Sequence, residues 1–278
     1  MAYTHNAGTR LYWEEHGSGE PILMIMGLSF TLDMWFRITP VLSERYRLIL
    51  FDNRGVGRSD TPGGPYSIRQ MAGDAVAVMK AAGVSSAFVM GASMGGMIAQ
   101  ELALRYPERV RALLLGCTSG GALGSKLPHL RRFPIAIGSA KTLEEREWLF
   151  SPMIYADSTP KERIAEDILV RLRYPQLRAG FLNQFAAILA WSSYRRLPEI
   201  QAPTLVMHGD EDRLVPMENG LRVARRIPNS TFVRVPGAGH VLSTDQPEIV
   251  DDEVFRFLNS LAVPMETEQR QTARARIA

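Results

Sequence analysis

The sequence predicts an α/β protein with a doubly wound, mostly parallel sheet and a helical cap inserted into it. Short, largely apolar runs at 21–26, 47–52 and 88–90 have the composition of strands that are buried on both faces. Segments with apolar residues at helical spacing alternate with these runs, which favours parallel strands joined by right-handed crossovers. The alternation stops at residue 120 and resumes after residue 197, which indicates an insertion.

The first half of the chain contains the predicted start of the sheet. Residues 9–16 are strand-like and follow a turn signal at 6–8, so we expect an antiparallel edge here. The apolar residues from Trp35 to Leu42 have helical spacing and predict a helix between the next two strands. Ser67 is placed to cap a further helix, which stops at Gly83.

The second half repeats the strand and helix pattern on either side of the insertion. A helix that begins after Ser93 must end before Pro107, because proline cannot continue it, and a strand follows at 110–115. Beyond the insertion we expect a strand, a helix, a strand and a closing helix, at 203–209, 221–226, 231–235 and 247–261.

These patterns divide the chain into three parts. We expect an α/β core at 1–119 and 198–263 and a helical cap at 120–197. The cap would lie over the carboxyl edge of the sheet, where ligands bind in open α/β folds. Residues 264–278 are polar, basic and aperiodic, so we expect a flexible tail.

Composition excludes several classes of protein and partner. With 278 residues, of which 46% are hydrophobic and 22% charged, the chain is a globular protein with a sizeable core. Its 32 basic residues barely exceed its 29 acidic ones and are scattered, so no nucleic-acid partner is predicted. Cys117 is the only cysteine, which excludes an intrachain disulfide. The chain has neither a signal-peptide pattern nor a long apolar stretch, so we expect no membrane partner and a cytoplasmic location.

One motif stands at a predicted junction between strand and helix. Residues 91–95 read Gly-Ala-Ser-Met-Gly. A sharp turn there would raise the serine hydroxyl above the sheet, and residues without a Cβ would let strand and helix pass closely. The motif alone is also compatible with a flexible glycine loop, but its context makes Ser93 the candidate nucleophile.

A serine hydroxyl needs a base to take its proton and an acid to orient that base. His240 follows the last strand in a glycine-rich loop, whereas the other four histidines lie in the first hairpin, the cap or a strand end. Asp210 and Asp212 both follow the strand that ends at Gly209, and the preceding loop, 116–119, contains no carboxylate. We predict Asp212 as the acid, because Asp210 directly follows the turn glycine and is better placed to support the loop.

A second glycine-rich loop spans residues 53–59. It matches neither nucleotide-binding fingerprint, because it lacks a Gly-Lys-Ser/Thr ending and a third glycine at the required spacing. We therefore interpret it as structural, and the sequence predicts neither a cofactor nor a metal site.

Four segments together resemble the α/β-hydrolase superfamily over nearly the whole chain, at 52–59, 91–96, 208–212 and 237–240. The sequence is similar in character to serine esterases and 3-oxoadipate enol-lactonases, and its Met-Gly pair after the serine resembles the aclacinomycin methylesterase branch. The resemblance implies the α/β-hydrolase fold and the chain order nucleophile, acid, base.

The resemblance also implies an oxyanion hole made by the backbone N–H groups of Leu28 and Met94. The sequence departs from the family at Met26, where histidine commonly precedes the glycine of this loop. Apolar residues of the cap and of the histidine loop are candidates for the substrate pocket, although each is also compatible with the core of the cap. They are Phe150, Met153, Phe185, Trp191 and Val241.

The expected function is hydrolysis of a small carboxylic ester or lactone through an acyl-enzyme on Ser93. Cofactor-free perhydrolysis and C–C bond hydrolysis use the same triad and stay open. Dehalogenases and epoxide hydrolases of this fold are disfavoured, because they carry aspartate at the nucleophile position. A non-enzymatic alternative is a receptor that uses the same pocket to bind a ligand. The sequence predicts neither the exact substrate nor the oligomeric state.

Overall fold

An eight-stranded sheet organises the computed structural model, which describes residues 1–122, 125–126 and 140–275. Its strands are β1 (Ala2–Asn6), β2 (Thr9–His16), β3 (Glu20–Ile25), β4 (Tyr46–Phe51), β5 (Ala87–Ala92), β6 (Val110–Gly116), β7 (Thr204–Gly209) and β8 (Ser230–Val235). They lie in the order β1-β2-β4-β3-β5-β6-β7-β8. Strands β1, β2 and β4 pair antiparallel, and the other pairs are parallel. The predicted α/β class and mostly parallel sheet are confirmed.

The antiparallel edge forms where the turn signal predicted it. Strands β1 and β2 make a hairpin in which Asn6 lies opposite Thr9. The two turn residues, Ala7 and Gly8, both have positive φ, at 47° and 77°, which is the geometry of the tight turns that suit twisted hairpins.

The helices occupy most of the remaining described chain. They are α1 (Thr39–Leu42), α2 (Ile68–Ala81), α3 (Met94–Arg105), α4 (Leu143–Ile154), α5 (Lys161–Leu172), α6 (Arg178–Ala190), α7 (Met217–Arg226), α8 (Leu242–Asp245) and α9 (Pro247–Ala275). The Ser67 hydroxyl caps α2 by accepting the Gln70 N–H, as predicted.

The helix predicted from Trp35 to Leu42 is wrong in its extent. The structure has a 3-10 turn at Leu32–Trp35 followed by the short α1. Pro40 lies in the first turn of α1. Because proline has no N–H to donate, it is suited to starting a helix and unsuited to continuing one, so the segment divides there.

Both faces of the sheet are buried. On one face, Leu23 and Ile25 pack with residues of α2, α3 and α7. On the other face, Ile22 and Met24 pack with the turn at Leu32–Trp35 and with α9. The alternation of neighbouring residues between two clusters is what a sheet covered by helices on both sides requires.

As far as the structure describes it, the predicted cap at 120–197 contains the helices α4, α5 and α6. The two ends of the predicted insertion run side by side, where Gly121 and Ser192 form an isolated antiparallel bridge. Next to this bridge, the Ser193 N–H donates to the Gly120 carbonyl at 2.9 Å. Two further residues of the predicted insertion, His129 and Phe133, lie outside the described residues.

The last helix continues to Ala275, past Leu261 where the sequence predicted its end. Side chains after Leu261 lie outside the described part, and the flexibility of residues 264–278 stays a prediction. Among the helices of the described chain, none combines the length and apolarity needed to cross a membrane.

Candidate active site

Ser93 occupies the sharp turn between β5 and α3. Its backbone has φ 57° and ψ −119°, a conformation that costs free energy for a residue with a side chain and that recurs at functional sites. Two hydrogen bonds hold it there: the Ser93 N–H donates to the Gly116 carbonyl at 2.8 Å, and the Thr118 hydroxyl donates to the Ser93 carbonyl at 2.7 Å. The turn predicted from the Gly-x-Ser-x-Gly motif is therefore present.

The flanking glycines allow strand and helix to approach closely. A Cβ on Gly95 would lie 2.0 Å from the carbonyl oxygen of Ile25, and a Cβ on Gly91 would lie 2.4 Å from that of Gly95. Both obstacles are backbone atoms of packed elements, so they cannot move aside as a flexible side chain could. Any larger residue would therefore push α3 away from β3 and β5.

The loop at 27–30, which we call the oxyanion loop, lies beside the serine. A Cβ on Gly27 would be 3.0 Å from the Cβ of Ser93. The N–H groups of Leu28 and Met94, the predicted oxyanion donors, have no hydrogen-bond acceptor among the described residues. The Met26 carbonyl accepts from the Asn53 amide at 2.8 Å, and the Met26 side chain is buried in the apolar cluster on one face of the sheet.

Asp212 and His240, the residues predicted as acid and base, are hydrogen-bonded to each other. The Nδ1 atom of His240 lies 2.8 Å from Oδ2 of Asp212. The other oxygen of Asp212 accepts the N–H groups of Leu214 and Val215, at 3.0 and 2.8 Å. Burial works to raise the pKa of Asp212, but His240 and His208 together lower it below its usual range. Asp212 is therefore ionised at neutral pH, which keeps the proton of His240 on Nδ1 and leaves Nε2 free to accept one.

His208 is a part of the site that the sequence reasoning missed. It is fully buried, and its Nε2 lies 2.8 Å from the Val215 carbonyl and 3.3 Å from Oδ2 of Asp212. Its Nδ1 faces Gly220, where a Cβ would come within 2.3 Å. Because both neighbours of Nε2 are acceptors, Nε2 carries a proton, whereas the buried Nδ1 has no hydrogen-bond partner among the described residues. The sequence signal that could have identified His208 is its position in the segment 208–212, which also contains Asp212.

The histidine loop is held by the cap and by α8. The N–H groups of His240 and Val241 both donate to the Ile154 carbonyl at the end of α4, at 2.7 and 3.1 Å. The Gly239 N–H donates to Oδ2 of Asp245 at 2.6 Å. Burial raises the pKa of Asp245 to about 6. The base is therefore positioned from two sides by groups outside its own loop.

Cys117 connects the serine turn to the histidine loop. It directly follows Gly116, which bonds Ser93, and its thiol lies 3.6 Å from the Gly239 carbonyl. Cys117, Asp212 and His240 offer three possible metal-binding atoms within 4.8 Å of one another. A metal bound by all three would have to break the hydrogen bond between Asp212 and His240. Burial also raises the pKa of the Cys117 thiol well above its usual value, which favours the protonated, non-ligating form.

The structure brings together three of the five predicted pocket residues. Phe150, Met153 and Val241 belong to one apolar cluster with Phe30 of the oxyanion loop and Leu214 of the acid loop. This cluster therefore joins the cap to both functional loops.

Trp191 and Phe185 lie elsewhere. The indole N–H of Trp191 donates to Glu101 of α3 at 2.9 Å, and the ring packs in the apolar cluster that also contains residues of α2, α3 and α7. Phe185 is 42% exposed and stacks on Phe181. Phe185 is partly exposed because α6 turns Gln184, and not its aromatic residues, toward the core.

Asp210, the alternative acid, supports the loop. Its carboxylate accepts the Gly237 N–H at 2.8 Å and pairs with Arg234 at 2.6 Å. Neither contact involves Asp212 or His240.

Arg58 of the second glycine-rich loop is paired with neighbouring carboxylates of the same chain. Arg58 donates to Asp52 at 2.8 Å and to Asp33 at 2.6 Å. A cleft of about 380 Å³ lies between this loop and the cap segment at 175–177. None of Ser93, Asp212 and His240 lines it.

Comparisons with known proteins agree with the fold and the motifs. A family model described as "Alpha/beta hydrolase family" matches residues 16–253. The chain is 32% identical over 265 residues to "Putative carbamate hydrolase RutD" from Azorhizobium caulinodans, a match that spans 94% of this chain and 99% of that protein. It is 31% identical over 253 residues to a poly(3-hydroxyalkanoate) depolymerase from Ectopseudomonas oleovorans, spanning 86% of this chain and 84% of that one.

A solved structure gives the same result in three dimensions. An esterase from Thermogutta terrifontis is similar with a TM-score of 0.78 and 27% identity, over 93% of this chain and 97% of that one. The resemblance that the motifs indicated is thus supported by a family model, by curated relatives and by a shared fold. The chain belongs to the alpha/beta hydrolase family, and the protein is a hydrolase.

Proposed function

We propose that the protein hydrolyses carboxylic esters, including lactones as cyclic esters, through an acyl-enzyme on Ser93. The observation that carries this proposal is the hydrogen bond of 2.8 Å between His240 and an ionised Asp212, at the sheet edge that holds the serine turn. This pair supplies the base that a serine hydroxyl needs in order to become a nucleophile.

Each step uses a group already described. Ser93 Oγ attacks the ester carbonyl while His240 Nε2 takes its proton, and ionised Asp212 stabilises the resulting imidazolium. The N–H groups of Leu28 and Met94 receive the oxyanion. The C–O bond then breaks, and His240 returns its proton to the leaving alcohol. His240 then takes a proton from water as the water oxygen attacks the acyl-enzyme. The bond between the acyl carbon and Ser93 Oγ breaks, His240 returns the proton to Oγ, and the acid is released.

The apolar cluster beside His240 supports substrates with apolar groups of small or medium size. Phe30, Phe150 and Val241 contribute to this cluster from the oxyanion loop, the cap and the histidine loop. Two of the similar proteins, the depolymerase and the esterase, are named for the cleavage of esters.

A second candidate substrate class is a carbamate. The relative with 32% identity is named for carbamate hydrolysis. A carbamate carbonyl can pass through the same tetrahedral intermediate, so the triad alone does not discriminate between the classes. The apolar cluster favours the ester.

A substrate panel with matched variants tests the proposal. Wild type is expected to hydrolyse p-nitrophenyl acetate or butyrate, or a lactone, faster than a carbamate of the same size. Ser93→Ala should reduce the rate by about 10³-fold or more, while Ser85→Ala, at the opposite end of β5, should leave it unchanged. Equal rates for wild type and Ser93→Ala would exclude the acyl-enzyme. Faster carbamate turnover would favour the second candidate, and bromination of monochlorodimedone in acetate and peroxide would reveal perhydrolysis.

A further inference from the structure

We propose that Gln184 of cap helix α6, together with Gln176, positions the oxyanion loop, so that seating of the cap is part of the catalytic apparatus. The inference rests on the proposed function, because it assigns a role in stabilising the oxyanion. Gln184 is a positioning residue here, since it acts through the loop and not on the substrate.

The first observation is the conformation of Ser29, which directly follows the oxyanion donor Leu28. Ser29 has φ 68°, a left-handed conformation that is unfavourable for a residue with a Cβ. Its N–H donates to Oε1 of Gln184 at 3.3 Å, and its hydroxyl donates to Oε1 of Gln176 at 2.5 Å. Both groups that Ser29 can donate are therefore held by the cap.

The second observation is that the amide of Gln184 has one orientation that satisfies its neighbours. Its Nε2 donates to the Arg54 carbonyl at 2.7 Å, so its Oε1 must face Ser29 and the amide of Gln176, which donates at 2.9 Å. Gln184 has no solvent exposure, and Gln176 donates in addition to the Gly55 carbonyl at 2.9 Å. A buried amide whose oxygen and nitrogen both have hydrogen-bond partners is rigid and costly to rearrange.

The third observation is the close packing of α6 on the core beside this network. A Cβ on Gly180 would lie 2.1 Å from the Gly55 carbonyl oxygen. The helix therefore contacts the loop at 54–55 without intervening side chains. The position of Gln184, one turn further along α6, is set by backbone contact.

A purely structural role for the two glutamines is the competing interpretation. Bonds to Arg54 and Gly55 would be enough to fasten the cap to the core. The bonds to Ser29 add a different effect, since they act on the residue next to an oxyanion donor. Oxyanion donors must lie within a few tenths of an ångström of their best position, and small displacements reduce the rate steeply.

The test separates the two interpretations by kinetics. Gln184→Met keeps the size of the side chain and removes the acceptor for Ser29, and should lower kcat by roughly 10- to 100-fold with KM within about twofold. The pH profile should stay as in wild type, because Asp212 and His240 are untouched. Gln176→Met, at a half-buried position, should show a smaller loss of kcat in the same direction.

Gln100→Met is the matched control. Gln100 is also a fully buried glutamine that joins the core to the base of the cap, through Ser119 at 3.1 Å and Ser193 at 2.7 Å. It makes no bond to the oxyanion loop. We expect its replacement to lower the thermal midpoint about as much as Gln184→Met does, with kcat preserved.

A second readout does not depend on turnover. Phosphonylation of Ser93 by a p-nitrophenyl phosphonate also needs the oxyanion hole, so its rate should fall in step with kcat in the Gln184 variant. Unchanged kcat and phosphonylation in Gln184→Met, or equal losses in Gln100→Met, would overturn the inference. If Gln184→Met does not fold, Gln176→Met decides by the same two readouts. Failure of the proposed function is distinct, because wild type would then neither hydrolyse esters nor depend on Ser93.

Discussion

The nucleophile and the base of the candidate site are held in place in different ways. Ser93 is positioned by backbone packing, in which glycines let β5, α3 and β3 approach to distances that no Cβ would permit, in addition to its hydrogen bonds with Gly116 and Thr118. His240 is positioned by its hydrogen bonds to Asp212 and to the Ile154 carbonyl at the end of α4. Its neighbour Gly239 donates to Asp245. Packing of this kind fails abruptly when an atom is added. By contrast, substitutions that remove hydrogen bonds around His240 should cause graded losses, and the stability of this hydrogen-bonded side of the site should depend on pH.

The largest effect is expected on the hydrogen-bonded side. Asp212→Asn should lower kcat/KM by about 10⁴-fold, because the amide cannot hold the proton of His240 on Nδ1 or stabilise the imidazolium. Asp210→Asn is the matched control two residues away and should cost only a few-fold, since Asp210 bonds Gly237 and Arg234 and not His240. Steady-state ester hydrolysis measures both. Similar losses in the two variants would contradict the assignment of the acid.

The next largest effect is expected on the packed side. In Gly95→Ala the new Cβ would lie 2.0 Å from the Ile25 carbonyl oxygen, so we expect a loss of more than about 3 kcal/mol in the free energy of unfolding. Gly63→Ala is a suitable control, because a Cβ there has nothing within 4 Å. Urea unfolding measures both variants. An unfolding free energy of Gly95→Ala close to that of the control would disprove the packing argument.

The third prediction uses the pH dependence of the hydrogen-bonded side. Burial raises the pKa of Asp245 from 3.8 to about 6, so the native protein holds this proton when the unfolded chain has already lost it. Stability from this group is therefore greatest below about pH 4 and falls as the pH rises to about 6, by about 3 kcal/mol in all. Asp245→Asn should lack this fall, which urea unfolding at several pH values would detect. Parallel pH curves for the two proteins would contradict it.

The smallest effect concerns the contact between the oxyanion loop and the serine. In Gly27→Ala the Cβ would lie 3.0 Å from the Cβ of Ser93, a tight distance that a small shift of the loop can relieve. We expect kcat to fall about tenfold with little change in thermal midpoint, because the shift moves the Leu28 donor. Gly73→Ala in α2, away from the site, should leave kcat unchanged. A Gly27 variant with wild-type kcat would mean that the loop tolerates displacement.

The sequence predicted those parts of the site that are local or follow the order of the chain. The serine turn needs only the five residues 91–95, and Asp212 and His240 became the candidate acid and base because they follow β7 and β8 in turn. The sheet and the first hairpin were predicted for the same reason, since strand composition and turn residues act over a few positions.

The groups that support the triad could not be predicted in this way. Ser29 and Gln184 are 155 positions apart, and no local pattern relates them. Helix α6 was the hardest case, because its aromatic residues at positions 181 and 185 are partly exposed while Gln184 is buried. Hydrophobic spacing would instead predict that the aromatic residues face the core. The orientation of α6 depends on the Arg54 carbonyl and the Ser29 N–H that Gln184 meets after folding.

The carbonyl of Ile154 accepts the N–H groups of both His240 and Val241. This contact matters for the design of chimeric enzymes that combine the core of one protein with the cap of another. A chimera that exchanges this cap for another would replace the acceptor that steadies the base, even if every residue of the triad were retained. Because the acceptor belongs to the main chain, alanine scanning would not reveal it. The junction of α4 with the segment that follows it should therefore be kept intact when caps are exchanged to alter specificity.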